Sequence, residues 1–86
     1  MVITYSRIFK KMFNKKDAWA QEKFGERISL FIQSRNHLLL NNHPLDGVWL
    51  GCRSINITGD FRAVYEELDN DNFEFVAIGT HSELYS

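Results

Sequence analysis

Between Pro44 and Gly47 the spacing of apolar residues changes from helical to alternating, and that switch restricts the chain to a mixed architecture. Before it, Ile8, Phe9, Met12 and Phe13 recur at helical spacing, with Lys10 and Lys11 turned the other way. Ser6 can cap this first helix through its hydroxyl, and Asn14 and Asp17, both turn or cap candidates, mark where it breaks. A second stripe of Ala20, Phe24, Ile28, Phe31 and Ile32 predicts a longer helix from about Ala18 to Asn36. Gly25 inside it costs roughly 1 kcal/mol against Ala, which suggests that something packs closely there. The simplest arrangement is two antiparallel helices sharing a short turn.

After the switch the period is two. In VWLGCRSINIT, Arg53, Ile55 and Ile57 share one side, and Leu50, Cys52, Ser54 and Asn56 share the other. Thr58-Gly59-Asp60 reads as a turn. FRAVYEEL follows as a strand with Phe61, Ala63 and Tyr65 opposed to Arg62, Val64 and Glu66. Asp69 to Asn72 form a polar hairpin turn. FEFVAIGT is largely apolar, so it is expected to be a central or well-covered strand, with HSELYS as a short tail or helical turn. VITY at residues 2–5 adds a first strand. Residues 37–47 are expected to form a structured loop, because Pro44 excludes His43 from helical geometry. The fold class is therefore α+β: two N-terminal helices packed on a small, twisted, mainly antiparallel sheet.

A chain of 86 residues makes one domain, 1–86, whose modest core depends on its seven Phe, three Tyr and two Trp. The single Cys52 forms no internal disulfide, which fits a reducing compartment. MVITYSRIFKK lacks the apolar stretch of a signal peptide, and no run approaches the roughly 18 apolar residues of a membrane span. A cytoplasmic, globular protein is the expectation, with no membrane partner. The net charge of −1 conceals a split. Residues 1–62 hold all ten Lys and Arg with five acids, whereas residues 63–86 hold six acids and no Lys or Arg. A uniformly basic RNA-coating protein is disfavoured; either a basic face or two solvated charge clusters remains.

His43 in the HPL loop and His81 after the last strand are candidates for proton transfer, since turns and strand ends expose side chains on a rigid scaffold. Each taken alone is more often an ordinary surface or hydrogen-bonded histidine. Arg53 and Arg62 lie on adjacent predicted strands. They would clamp a phosphate if both faced the open side of the sheet, or else pair with acids such as Asp60 or Glu66. Tyr65 suits the core, and Tyr85 suits an exposed stacking role. There is no Walker loop, dinucleotide glycine pattern or HExxH, and neither the one Cys nor the three scattered His show metal-ligand spacing.

The stretch HPLDGVWLGCRSINITGDFRAVYEEL, followed by FVAIGTHSELY, resembles the RelE/YafQ family of toxin–antitoxin ribonucleases, within the RelE/ParE superfamily. The resemblance is close over roughly residues 42–85. It is carried by HPL with a following Gly, a GxR strand, a D-aromatic-R-x-x-Y strand and the closing GTHSELY. It implies a toxin that cuts messenger RNA on the ribosome and is restrained by a partner antitoxin. That antitoxin peptide would set acids against the basic helices and apolar side chains into surface grooves. It implies attack of the 2′-OH on the adjacent phosphate, with no metal or other cofactor. Carried over by position, His43 and His81 match the family's HPL and GTH histidines, Asp60 an acid of the site, Tyr85 the C-terminal aromatic and Arg53 the strand arginine. Two positions depart from the pattern: Asn56 replaces a histidine and Ala77 replaces a phosphate-stabilising arginine. Arg62 would have to supply that charge from the next strand. A weakened nuclease, a non-catalytic relative, or a ParE-like toxin that binds DNA gyrase is the alternative.

Overall fold

The computed structural model describes residues 1–85. Strand β1 (Val2–Tyr5) leads into α1 (Arg7–Asn14) and α2 (Ala18–Gln33). A 3-10 turn at Leu38–Leu40 precedes the two-residue strand β2 (His43–Pro44), and a second turn at Gly47–Trp49 precedes β3 (Arg53–Thr58). Strands β4 (Phe61–Asp69) and β5 (Asn72–Thr80) follow, and α3 (His81–Tyr85) ends the described chain. Ser86, counted in the sequence as part of the tail, lies outside the described residues.

Local chemistry accounts for the helix ends. The Ser6 hydroxyl accepts the Phe9 N–H at 3.0 Å, and Asp17 Oδ1 accepts the Ala20 N–H at 2.8 Å. Each side chain thus satisfies a donor that the first helical turn leaves free. The second helix stops three residues short of the expected Asn36.

The sheet order is β1-β5-β4-β3-β2. All pairs are antiparallel except β1 with β5, which are parallel, with Ile3 opposite Phe73. The strand expected over residues 48–58 begins only at Arg53. Residues 47–49 coil instead, and Gly47 and Gly51 adopt φ values of 63° and 92° that break extended geometry. Conversely, the expected 37–47 loop contributes the edge strand β2.

Alternation divides the sheet into two faces. One carries Ile55, Ile57, Ala63, Tyr65, Phe73, Phe75 and Ile78 beneath Phe9, Phe24 and Phe31 of the helices. Phe24 packs edge-on against Phe13 at 5.5 Å and against Phe75 at 5.8 Å, so one ring joins both helices to the sheet. Such pairs add about 0.5–1.5 kcal/mol beyond area burial. The helical stripes need two corrections, since Ile8 is 64% and Ile32 55% exposed. Gly25 also has no close neighbour, so tight packing is not the reason for that glycine.

The opposite face holds a smaller cluster of Leu45, Val64, Ala77 and Leu84, flanked by Trp49 and Cys52. Leu84 brings α3 onto this face. Trp49 Nε1 donates to the Leu84 carbonyl at 2.9 Å and secures the helix from above.

Candidate functional site on the face beneath the last helix

The turn between β3 and β4 positions the first group. Gly59 takes φ 52°, a value costly for residues with a Cβ, and the tight reversal leaves Asp60 exposed at the strand end. Arg62, two residues on, pairs with Asn56 on β3 and Gly79 on β5. Its Nη2 donates to Asp60 Oδ1 at 3.3 Å, while its Nε is shielded and has no partner among the described residues. The second Asp60 oxygen accepts the His81 backbone N–H at 3.3 Å. Asp60 therefore ties the β4 guanidinium to the start of α3.

His81 and Tyr85 are one helical turn apart, so their side chains share a face of α3. Their rings lie 4.7 Å apart with an interplanar angle of 32°. Both residues are exposed. His81, Tyr85, Asp60 and Arg62 thus gather at one open end of the sheet, where they offer an imidazole, a stacking ring, a carboxylate and a guanidinium.

The other sequence candidates lie elsewhere. His43 is on the same face but on the edge strand, opposite Ser54. Its Nδ1 approaches the Asn41 carbonyl at 2.7 Å and its Nε2 approaches Ser54 Oγ at 3.4 Å. Two strand spacings, roughly 10 Å, separate its strand from that of Arg62.

Arg53 is opposite Tyr65 on the helix-covered side of the sheet. Its Nε donates to Asn42 Oδ1 at 2.8 Å. With Arg35, Asn36, Tyr65 and Glu67 it lines a separate polar cavity of about 200 Å³. Of the two arrangements open to these arginines, the clamp of Arg53 with Arg62 is not formed, because strand alternation puts the two guanidiniums on opposite faces, and Arg62 pairs with Asp60 instead. Tyr65 is buried, and its hydroxyl accepts from Asn42 Nδ2 at 2.8 Å.

Ala77, where the resemblance would place an arginine, sits in the small apolar cluster opposite Val64 and is 1% exposed. Burial, and then the Glu66 charge, raises the Cys52 thiol above the ordinary value and keeps it protonated at neutral pH. Among the described residues no group of three or more His, Cys, Asp or Glu is close enough to hold a metal ion.

Sequence reasoning missed Thr80, Glu83 and Lys16. The Thr80 hydroxyl accepts the Glu83 N–H at 3.3 Å, and Glu83 Oε1 accepts the Thr80 N–H at 2.8 Å. The T-x-x-E spacing in THSE is the sequence signature of such a capping box, and it was the signal that could have found this pair. Lys16 Nζ, 67 residues away in sequence, reaches the two Glu83 oxygens at 2.8 and 2.9 Å, and no local signal announces it.

The same arrangement of sheet and helices occurs in known toxins. YafQ from E. coli strain BL21(DE3) is 26% identical, with a TM-score of 0.77, over 98% of this chain and 97% of that one. YafQ in the E. coli DinJ–YafQ complex is 27% identical, with a TM-score of 0.74, over 98% and 97% of the respective chains. A YoeB/ParE toxin from Agrobacterium tumefaciens shares the fold, with a TM-score of 0.75 at 22% identity over 94% and 99%. No curated protein sequence matches the chain significantly. The model of the bacterial toxin of type II toxin–antitoxin systems, YafQ, matches residues 1–86. With that match over the full sequence and the fold in agreement, the chain belongs to the YafQ family of type II toxin–antitoxin toxins.

Proposed function

We propose that this toxin is a ribosome-dependent, metal-independent endoribonuclease acting on messenger RNA in the cytoplasm. The observation that carries the reading is the exposed His81–Tyr85 ring pair, 4.7 Å apart, bound through Asp60 to Arg62. In the proposed reaction the ribose 2′-oxygen attacks the adjacent phosphorus and loses its proton to a base. The bond from phosphorus to the 5′-oxygen breaks, and that oxygen takes a proton from an acid. The products are a 2′,3′-cyclic phosphate and a 5′-hydroxyl. His81 is assigned the role of general acid or base, as an exposed imidazole at the open end of the sheet. His43 is the second proton-transfer group on this face, on the edge strand opposite Ser54. Tyr85 stacks on the base, Arg62 stabilises the charge of the crowded phosphorane, and Asp60 orients Arg62.

Primer extension on ribosomes programmed with a defined message tests the reading. Codon-phased cuts are expected for the parent and none for His81→Ala. A His81→Ala variant that remains as toxic as the parent would overturn the assignment.

The burial of Ala77 favours a second reading, because the site then has a single guanidinium, already engaged by Asp60. A non-catalytic or gyrase-binding toxin of the same fold would give no cuts and, for gyrase, DNA-damage signalling instead.

The partner of this toxin is taken to be a cognate antitoxin, as DinJ is found with YafQ in the E. coli complex. Helix α1 supports an acidic partner. It carries Arg7, Lys10 and Lys11 and no acid, and Lys10 borders a cavity of about 390 Å³ lined by Tyr5, Phe9, Phe13 and Phe24. Calorimetric titration of an antitoxin peptide into Lys10→Glu is expected to show weaker binding, and an unchanged affinity would move the interface elsewhere.

A further inference from the structure

The helix that presents His81 and Tyr85 has five residues. Isolated helices below roughly 12 residues are marginal in water, so α3 takes its shape from what holds it. Its C-terminal half is held by Leu84 in the small apolar cluster and by the Trp49 hydrogen bond. Its N-terminal half is held by Glu83. One carboxylate closes the capping box with Thr80 and also receives Lys16 Nζ on both oxygens. Lys16 follows the end of α1, its side chain is 16% exposed, and its ammonium lies 5.6 Å from the centre of the Phe61 ring. The ammonium is thus confined by apolar surface before it meets the carboxylate.

Gly79 gives independent support. It does not have a positive φ, so backbone conformation does not call for glycine there. A Cβ at that position would lie 2.8 Å from Glu83 Oε1. Leaving out a side chain lets the carboxylate lie against the strand end, within reach of both Thr80 and Lys16.

We propose that Glu83, gripped by Lys16, is a positioning residue that sets the orientation of the His81–Tyr85 pair relative to Arg62. The assignment rests on the nuclease reading for its catalytic consequence only; its conformational consequence is independent of any cleavage. Because α3 is too short to keep its own shape, loss of the Glu83 cap frays its first turn, and the imidazole then parts from the Tyr85 ring and from the Asp60–Arg62 pair. The Lys16–Glu83 contact holds α3 independently of Leu84 and Trp49.

The test uses the full chain with Lys16→Met, Glu83→Ala and Lys16→Arg. Proton NMR of the His81 ring reads its stacking on Tyr85 through the ring-current shift. Lys16→Met and Glu83→Ala are expected to shrink that shift and to lower kcat for cleavage about tenfold or more with little change in KM, as for misoriented groups. Lys16→Arg is expected to restore both. Lys16→Met keeps every core residue, so it remains informative if Glu83→Ala fails to fold. An unchanged His81 ring-current shift in Lys16→Met would overturn the proposal, as would Lys16→Arg failing to restore it. If His81→Ala proves fully active, the nuclease reading fails while the NMR result still decides the positioning.

Discussion

Arg53 is held by Asn42: its Nε donates to Asn42 Oδ1 at 2.8 Å, while the Asn42 amide donates to the buried Tyr65 hydroxyl and to the Arg35 carbonyl, each at 2.8 Å. This network fastens the loop before β2 to the central strands. Arg53 is thus engaged with the frame on the helix side, whereas Arg62 lies at the open end beside Asp60. Asn42→Ala is expected to destabilise the fold by about 1–3 kcal/mol, since it strips a buried hydroxyl and a guanidinium of partners. Urea melts would measure the loss, and cleavage per folded molecule should hold. A variant as stable as the parent but inactive would return Arg53 to the chemistry.

Leu84 is the apolar anchor of α3, 5% exposed against Ala77 and Val64. Leu84→Ala is expected to cost about 2 kcal/mol, at the low end for such changes because a terminal helix can detach. Trp49 donates to the Leu84 carbonyl, so its fluorescence in a Trp19→Phe background should report detachment below the main unfolding transition. Coincident transitions would show that α3 melts with the core.

Tyr85 is 38% exposed and contacts His81 through its ring. Stacking needs the ring and not the hydroxyl. Tyr85→Phe should retain cleavage, and Tyr85→Ala should raise KM by the loss of about 1–3 kcal/mol of base stacking. Equal losses in both variants would assign the role to the hydroxyl.

The Lys16 hydrogen bond, and then the Thr80 N–H, hold the Glu83 carboxyl below its ordinary value of 4.5. A group lowered on folding contributes stability that is fully present above its unfolded value and lost as pH falls through the lowered one. The melting-temperature gap between the parent and Glu83→Gln should therefore be constant from pH 7 to about 5 and close below about 4. Asp69 is lowered as well, by the Asp71 and Asn72 contacts, so only the difference between the two proteins isolates Glu83. A gap that persists at low pH would mean the amide, not the charge, distinguishes them.

Much of the architecture was legible from short stretches. Ser6 and Asp17 begin the helices as expected, and Thr58-Gly59-Asp60 turns β3 into β4. The opposition of Phe61, Ala63 and Tyr65 to Val64 also holds. The resemblance in GTHSELY and D-F-R marked residues that do meet at one end of the sheet. The parallel pairing of β1 with β5 was not legible, nor was the strand at His43–Pro44. Two residues form no period, and an edge pairing of this length is set by the strand it joins.

The sequence alone determined where the chain coils, extends and turns, because caps, glycine dihedrals and the 2.0 and 3.6 periods act within a few residues. Only the tertiary structure decided which face each candidate occupies. Arg53 went to the helix side because it lies opposite Tyr65, and Arg62 to the open side because it lies opposite Asn56. The tertiary structure also brought Lys16 to Glu83 across 67 positions. Register and long-range ion pairs follow from the packing of the whole sheet against its helices, and no local stretch of residues encodes that sum.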